Sequence, residues 1–236
     1  MKRKTILLVG GSYGIGQSVA QLLIAEHRVI VASRTQGHLP PNCEYLPFDA
    51  LNDDVASLQI PDKLDGLVYC PGSINLKPFH LLKPNDFLQD LELNFLGLVK
   101  TTQALLPKFK QSEQASLVFF STVAVQSGMP FHTSIAAAKG AVEGFAKSLA
   151  AEYAPKFRVN VIAPSLTDTP LASKLLSSQD KKEKMATRHP LNRIGSSLDI
   201  AQMAAFLLSD NTSWITGQTV AVDGGMGTIK YLHEQV

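Results

Sequence analysis

The segment that most constrains the fold is Leu7–Gly16, in which an apolar run ends in glycines and a helical pattern follows. This order predicts a buried strand, a tight turn and a helix whose N-terminus faces the turn. Unpaired N–H groups and the positive end of the helix dipole suit such an N-terminus to a phosphate. Gly10 permits the sharp turn, and Gly14 and Gly16 let the backbone approach a pyrophosphate closely. A glycine-rich turn can also simply connect a strand to a helix without binding a ligand. This segment alone therefore leaves both a phosphate-binding turn and a simple connection open.

Apolar runs alternate with helical patterns along the chain. The predicted strands are Thr5–Val9, Arg28–Ala32, Glu44–Phe48, Leu64–Cys70, Ser116–Phe120, Arg158–Ile162 and Gln218–Val222. The predicted helices are Ile15–Glu26, Asp49–Gln59, Pro84–Lys110, Pro130–Tyr153 and Leu198–Leu208. Between the second and third strands, a glycine and two prolines predict that the usual crossover helix is lost or reduced to a turn. Apolar strands that alternate with helices predict an α/β fold, a doubly wound parallel sheet covered on both faces.

Length, charge and cysteines set broad limits. The 236 residues predict a single domain over 1–236, and the net charge of +2 does not favour nucleic acid or membrane binding. No apolar run has the length of a membrane span. Cys43 and Cys70 lie in different segments, without metal-ligand or redox spacing. These features predict a soluble, cytoplasmic protein without a metal site.

Several motifs beyond the glycine turn carry a family resemblance. Val9–Gly16 resembles a Thr-Gly-x-x-x-Gly-Ile-Gly loop, Asn160–Ser165 an Asn-x-x-x-Pro-Gly segment, and Trp214–Gly225 a C-terminal signature. On these motifs the chain resembles the short-chain dehydrogenase/reductase family, and within it the 3-oxoacyl-acyl-carrier-protein reductases. The resemblance implies a Rossmann-type, seven-stranded parallel sheet, a nicotinamide cofactor, and assembly as a homo-oligomer, either a tetramer or a dimer.

The resemblance also implies a set of cofactor-binding residues, most of them at the C-terminal ends of strands, where α/β sheets bind ligands. They are Gly10, Ser12, Tyr13, Gly14, Ile15, Gly16, Ser33, Arg34, Asp49, Ala50, Cys70, Pro71, Gly72, Lys139, Pro164, Thr167 and Thr169. The segment Ser33-Arg34 has no carboxylate to repel a 2′-phosphate, and arginine offers a planar fork for one. We therefore predict NADP(H). The alternative is that Arg34 is a solvated surface charge.

The catalytic residues of the family are a serine, a tyrosine and a lysine, with an asparagine in the proton relay. The matching lysine is Lys139, the serine position falls on Thr122, and the asparagine is Asn94. Four residues before the lysine, where the family has its tyrosine, this chain has Ile135, which has no proton to give. Loss of a general acid typically costs about a hundred- to ten-thousand-fold in rate.

A second spacing fits the same helix. Enoyl-thioester reductases of the superfamily place the tyrosine seven residues before the lysine, where this chain has His132. Offsets of three, four and seven share a helix face, so His132, Ile135 and Lys139 are expected to form one stripe. A protonated histidine can stabilise an enolate oxygen, and a neutral imidazole can still donate one hydrogen bond. The alternative is that His132 is only a polar residue at the start of a helix.

A second histidine, His189, follows the polar segment 165–188 and is expected at the surface.

The function predicted from these residues is an NADP(H)-dependent oxidoreductase that transfers hydride to a carbonyl or enoyl group of a small or acyl-thioester substrate. The polar segment Ser165–Arg188 is expected to be a mobile lid over that substrate. Two alternatives stay open. One is a catalytically silent NADP-binding sensor or scaffold of the same fold, and the other is a carbonyl reductase that uses water or another hydroxyl as its acid.

Overall fold

The computed structural model of the chain describes residues 2–230 and contains a seven-stranded parallel sheet. Its strands are β1 Thr5–Val9, β2 Arg28–Ser33, β3 Glu44–Pro47, β4 Gly66–Tyr69, β5 Ala115–Phe120, β6 Phe157–Pro164 and β9 Thr219–Val222. The spatial order is β3-β2-β1-β4-β5-β6-β9, and every pairing is parallel. Two short strands, β7 Thr167–Asp168 and β8 Gly195–Ser196, pair separately. The predicted fold class is confirmed, although residues 1 and 231–236 of the predicted single domain lie outside the described residues.

The helices lie on both faces of the sheet. They are α1 Gly14–Leu23, α2 Pro84–Leu91, α3 Gly97–Lys110, α4 Ala124–Ser127, α5 Thr133–Tyr153, α6 Gln179–Ala186 and α7 Ser197–Leu208. Alternate residues of β1 enter different cores: Leu7 packs on the α3 and α5 side, and Leu8 on the α1 and α7 side. Each such fully buried side chain contributes roughly 1.5–3 kcal/mol. This burial on both faces explains why the strands are apolar without alternation.

The predicted helix over Asp49–Gln59 is wrong. That segment contains only turns and one 3-10 turn, Val55–Ser57. Its aspartates bond to nearby backbone instead: the Asp49 carboxylate accepts the Leu51 N–H, and the Asp54 carboxylate accepts the Ala56 N–H. Such local acceptors compete with the helical hydrogen-bond ladder. The predicted absence of a helix between β2 and β3 is confirmed.

The two long helices differ from their predicted form. A π-helical turn, Glu92–Leu96, interrupts the predicted Pro84–Lys110 helix, at a point where the side-chain amide of Asn94 donates to the Asp90 carbonyl. Insertion of a side chain into the backbone ladder is a common origin of such irregularity. The second helix begins at Thr133 rather than Pro130, because Phe131 has a left-handed φ of 68°. Helical geometry therefore starts only after His132.

The segment from 165 to 188 lies over the C-terminal edge of the sheet. It contains β7, a 3-10 turn over Pro170–Ala172 and helix α6, and the side chains of Ala172 and Leu176 are buried. Within residues 2–230, no helix combines the length and apolarity needed to cross a bilayer.

Candidate active site

A cavity of about 750 Å³ opens at the C-terminal edge of the sheet. The ends of β1, β2, β4, β5 and β6 contribute to its wall, as does the N-terminal part of α5. All the cofactor-binding residues predicted from the sequence line this cavity, and so do Thr122, His132, Ile135 and Lys139. The parallel sheet therefore brings residues from the whole chain to one place, as strand ends in such sheets do.

The glycine turn forms a crevice that fits a dinucleotide phosphate. Gly10 and Gly14 have left-handed φ values of 74° and 54°. A Cβ on Gly16 would lie 2.6 Å from the Gly11 Cα, so any side chain there would displace the backbone. Tyr13, the N-cap of α1, makes no side-chain hydrogen bond to the first turn. The free amides and the helix dipole at this end suit an anion.

Arg34 lies exposed at the end of β2 and lines the same cavity. In the part of the chain that the structure describes, no carboxylate lies within ion-pair distance of its guanidinium. The nearby Asp49 is held by the Leu51 N–H, which lowers its pKa, and the charge of Arg34 lowers that pKa further. The guanidinium is thus available to an anionic ligand.

Cys70 and Gly72 follow the end of β4 and line the cavity. Burial raises the pKa of the Cys70 thiol to about 12, so the thiol stays neutral and packs as a small apolar group. A Cβ on Gly72 would lie 3.3 Å from Asn94 Oδ1 and 3.5 Å from Lys139 Nζ. Because Gly72 has no side chain, the side-chain amide of Asn94 and the ammonium of Lys139 can both lie close to its backbone.

Lys139 is a buried cation. The residue is 8% exposed, and its Nζ donates a 3.0 Å hydrogen bond to the Phe120 carbonyl. Burial lowers the lysine pKa to about 8, although the charge of Asp90 acts in the opposite direction. A desolvated lysine with a perturbed pKa in a cleft is typical of functional sites.

His132 directly precedes α5, and one of its ring nitrogens hydrogen-bonds to the backbone. Its Nδ1 lies 2.7 Å from the Pro130 carbonyl oxygen. Because a carbonyl only accepts, Nδ1 carries a proton, and Nε2 can donate only when the ring is an imidazolium. Ile135 is 5% exposed on the cavity wall, between His132 and Lys139 in the sequence.

Asn94 does not line the cavity. It is 1% exposed, and its amide nitrogen donates to Ser73 Oγ and to the Asp90 carbonyl. The buried Asp90 carboxylate accepts a 2.6 Å hydrogen bond from Ser73 Oγ, and a further one from Ser134 Oγ. Sequence reasoning missed Asp90 and Ser73, because their partnership depends on how α2 packs against the loop after β4.

The prediction that His189 lies at the surface is wrong. His189 is 3% exposed and lines the cavity. Its Nε2 lies 2.9 Å from Ser165 Oγ, and its Nδ1 lies 3.0 Å from the Met185 carbonyl oxygen. Polar neighbours in the sequence suggested exposure, and only the folding of the segment after β6 onto the sheet edge buries this ring.

The fold agrees with comparisons to known proteins. Residues 48–227 match the family model described as Enoyl-(Acyl carrier protein) reductase. The chain belongs to the short-chain dehydrogenase/reductase family. Members of this family use nicotinamide dinucleotides.

Two curated relatives and one solved structure illustrate the match of this short-chain dehydrogenase/reductase. It is 29% identical to the 3-oxoacyl-[acyl-carrier-protein] reductase FabG of Thermotoga maritima, over 96% of this chain and 98% of that protein. It is 37% identical to the peroxisomal 2,4-dienoyl-CoA reductase SPS19 of Saccharomyces cerevisiae, over 63% of this chain and 51% of that protein. The ligand-free aldohexose dehydrogenase of Thermoplasma acidophilum superposes with a TM-score of 0.91 at 25% identity, over 100% of this chain and 98% of that one.

Proposed function

We propose that this short-chain dehydrogenase/reductase is an NADP(H)-dependent reductase of acyl thioesters, and that it acts on an enoyl group. The observation that carries the proposal is the combination of a buried, cavity-facing Lys139 with Ile135 one turn before it. The lysine retains the family's means of holding a nicotinamide nucleotide. The isoleucine cannot protonate a carbonyl oxygen, so a donor elsewhere in the cavity is needed.

The residues of the cavity have distinct roles in this proposal. NADPH, when bound, supplies the hydride. The amides of the glycine turn would hold its pyrophosphate, and Arg34 would pair with its 2′-phosphate. Lys139 would hold the nicotinamide ribose, and Asn94 would keep the wall beside that lysine in place through its bonds to Ser73 and Asp90.

The substrate would meet two further side chains. The hydroxyl of Thr122 would orient the thioester carbonyl. His132, as an imidazolium, would donate its Nε2 proton in a hydrogen bond to the oxygen that gains negative charge, while Nδ1 stays bound to Pro130. Two relatives support an acyl-thioester substrate, since one is a 2,4-dienoyl-CoA reductase and the other a 3-oxoacyl-[acyl-carrier-protein] reductase. The second of these keeps carbonyl reduction as the alternative reaction.

The test is NADPH oxidation with a trans-2-enoyl thioester and with the matching 3-oxoacyl thioester, measured side by side. Turnover of the enoyl compound, lost in His132→Gln, supports the proposal. Turnover of the oxoacyl compound alone would make the protein a carbonyl reductase with a different acid. Tight NADPH binding without turnover of either would favour the silent sensor or scaffold.

We further propose a homo-oligomer, dimer or tetramer, in the cytoplasm, that binds neither nucleic acid nor membrane. Support for assembly comes from one face of α5 that carries small residues. Gly144 and Ala151 on this face are exposed, and a Cβ on Gly144 would meet no atom of the described chain within 4 Å. Such a face permits close approach of another helix, and light scattering of the purified protein measures the oligomeric state.

A further inference from the structure

The hydroxyl of Ser165 and the imidazole of His189 form a hydrogen-bonded pair on the cavity wall that the proposed roles above leave unused. The Oγ to Nε2 distance is 2.9 Å. The thioether of Met226 lies 3.0 Å from the same hydroxyl. A buried imidazole bonded to a cavity-lining hydroxyl is one of the arrangements by which proteins move protons.

The backbone fixes which nitrogen of His189 carries the proton in the neutral ring. Nδ1 faces the Met185 carbonyl oxygen at 3.0 Å, and a carbonyl can only accept, so Nδ1 is protonated. Nε2 therefore accepts the hydroxyl proton of Ser165. In this state the serine presents only lone pairs to the cavity.

The protonated ring reverses the direction of that bond. Nε2–H then donates to Ser165 Oγ, and Nδ1–H still donates to Met185, so both N–H groups of the cation have oxygen acceptors despite 3% exposure. The serine proton then leaves Nε2 and faces the thioether of Met226, a weak acceptor that also lines the cavity. Ser165 can thus donate its proton into the cavity, and the imidazolium of His189 can then reprotonate Ser165 Oγ.

This pair lies beside the other residues assigned to the reaction. The Val123 N–H donates to the Pro164 carbonyl at 3.1 Å, which places Thr122 and Ser165 on adjoining strand ends. In the same strand pair Phe120 is in register with Ile162, and the Phe120 carbonyl holds Lys139 Nζ. The ammonium of Lys139 therefore reaches the end of β5, and Thr122 and Ser165 follow the adjoining ends of β5 and β6.

Reduction of an enoyl group needs two donors at different atoms. Hydride adds at the β-carbon and leaves negative charge on the thioester oxygen, and a proton must then form a new bond at the α-carbon. A carbonyl reduction needs only the donor at oxygen. His132 is one candidate donor, and the Ser165–His189 pair is a second, separate one.

We propose that Ser165 is the catalytic residue that protonates the α-carbon of the enoyl substrate. The Oγ–H bond breaks as the Cα–H bond forms, and the Nε2–H proton of the His189 imidazolium passes to Oγ. The ring ends neutral and regains its proton from water after product release. This role rests on the enoyl reduction proposed above.

The experiment measures enoyl-thioester reduction in D₂O by wild type, Ser165→Ala and His189→Gln. His80→Gln is the matched control, because His80 is exposed and does not line the cavity. Both test variants are expected to lose about a hundredfold in kcat, with little change in KM or NADPH affinity. Deuterium at the α-carbon should lose its stereochemical preference in both variants, because water then reaches either face. His80→Gln should match wild type.

Glutamine at position 189 separates a positioning role from a proton-donating one. It can hydrogen-bond to Ser165 but cannot titrate, so wild-type rates in His189→Gln would overturn the proposal, as would unchanged stereochemistry in Ser165→Ala. A readout without turnover is the ¹⁵N spectrum of the nucleotide-free protein, where the neutral His189 ring should show the Nδ1–H tautomer, and an Nε2–H tautomer would overturn the proposal. Wild type that reduces only the oxoacyl compound would instead refute the enoyl reaction and, with it, this role.

Discussion

Replacement of the buried lysine should make the nucleotide-free protein more stable while abolishing turnover. Lys139 is 8% exposed, and its charge is poorly solvated because the cavity wall and the C-terminal end of β5 enclose it. The variant Lys139→Met keeps a similar unbranched chain and removes the charge. It also removes the hydrogen bond to the Phe120 carbonyl.

The magnitude follows from the lysine pKa. A decrease from the usual 10.5 to about 8 means that the charged form is disfavoured in the folded protein by about 3 kcal/mol at pH 7. Loss of the hydrogen bond to the Phe120 carbonyl destabilises the variant by about 1 kcal/mol and offsets part of this gain. We therefore expect Lys139→Met to raise the free energy of unfolding by about 2 kcal/mol at pH 7. Residues that are kept for function often lower the stability of the folded protein in this way.

The sign of the pH dependence is fixed by linkage. A lysine whose folded pKa is lowered costs stability below that pKa, and the cost disappears as the pH rises from about 8 to above 10.5. Between pH 7 and pH 9.5 the advantage of the variant should therefore shrink by about 2 kcal/mol. Groups common to both proteins cancel in this difference.

Urea unfolding of the two proteins at the two pH values, without nucleotide, measures the effect. Lys147→Met is the control, since Lys147 is exposed two turns later on α5 and should change stability by less than about 0.5 kcal/mol at either pH. A Lys139→Met variant that is less stable than wild type, or an advantage that does not change with pH, would refute the assignment of the lowered pKa to burial.

Four further substitutions probe other parts of the site. Gly16→Val should weaken NADPH binding by at least about tenfold in a fluorescence titration, because its Cβ would lie 2.6 Å from the Gly11 Cα; unchanged affinity would contradict the assigned phosphate crevice. Arg34→Glu should weaken NADPH binding by about tenfold or more while sparing NADH, and equal effects on both would mean that the arginine does not meet the 2′-phosphate. Ile135→Tyr should raise 3-oxoacyl reduction by at least about tenfold, since it restores a general acid on the cavity wall, and no gain would show that the acid lies elsewhere. Gly144→Arg should lower the molar mass in light scattering, because its side chain would occupy the small-residue face of α5, whereas an unchanged mass would place the interface elsewhere.

Local chemistry determined much of this protein from the sequence. Apolar runs that alternate with helical patterns predicted the parallel sheet, because only a sheet covered on both faces buries such strands. The glycines at 10, 14 and 16 predicted the crevice, because residues without a Cβ permit a sharp turn and a close approach of the backbone to a pyrophosphate. Strand ends then predicted which segments line the cavity, since parallel strands end at one edge.

Tertiary structure decided the features that depend on distant partners. Asp90 and Ser73 meet only because α2 packs over the loop after β4, and His189 is buried only because the segment after β6 folds back over Ser165. The turns after Asp49 and the late start of α5 were decided by side-chain acceptors and by one left-handed residue, which outweigh helical propensity. The sequence pattern specifies burial and periodicity, but the partner of a polar group depends on contacts between segments far apart in the chain.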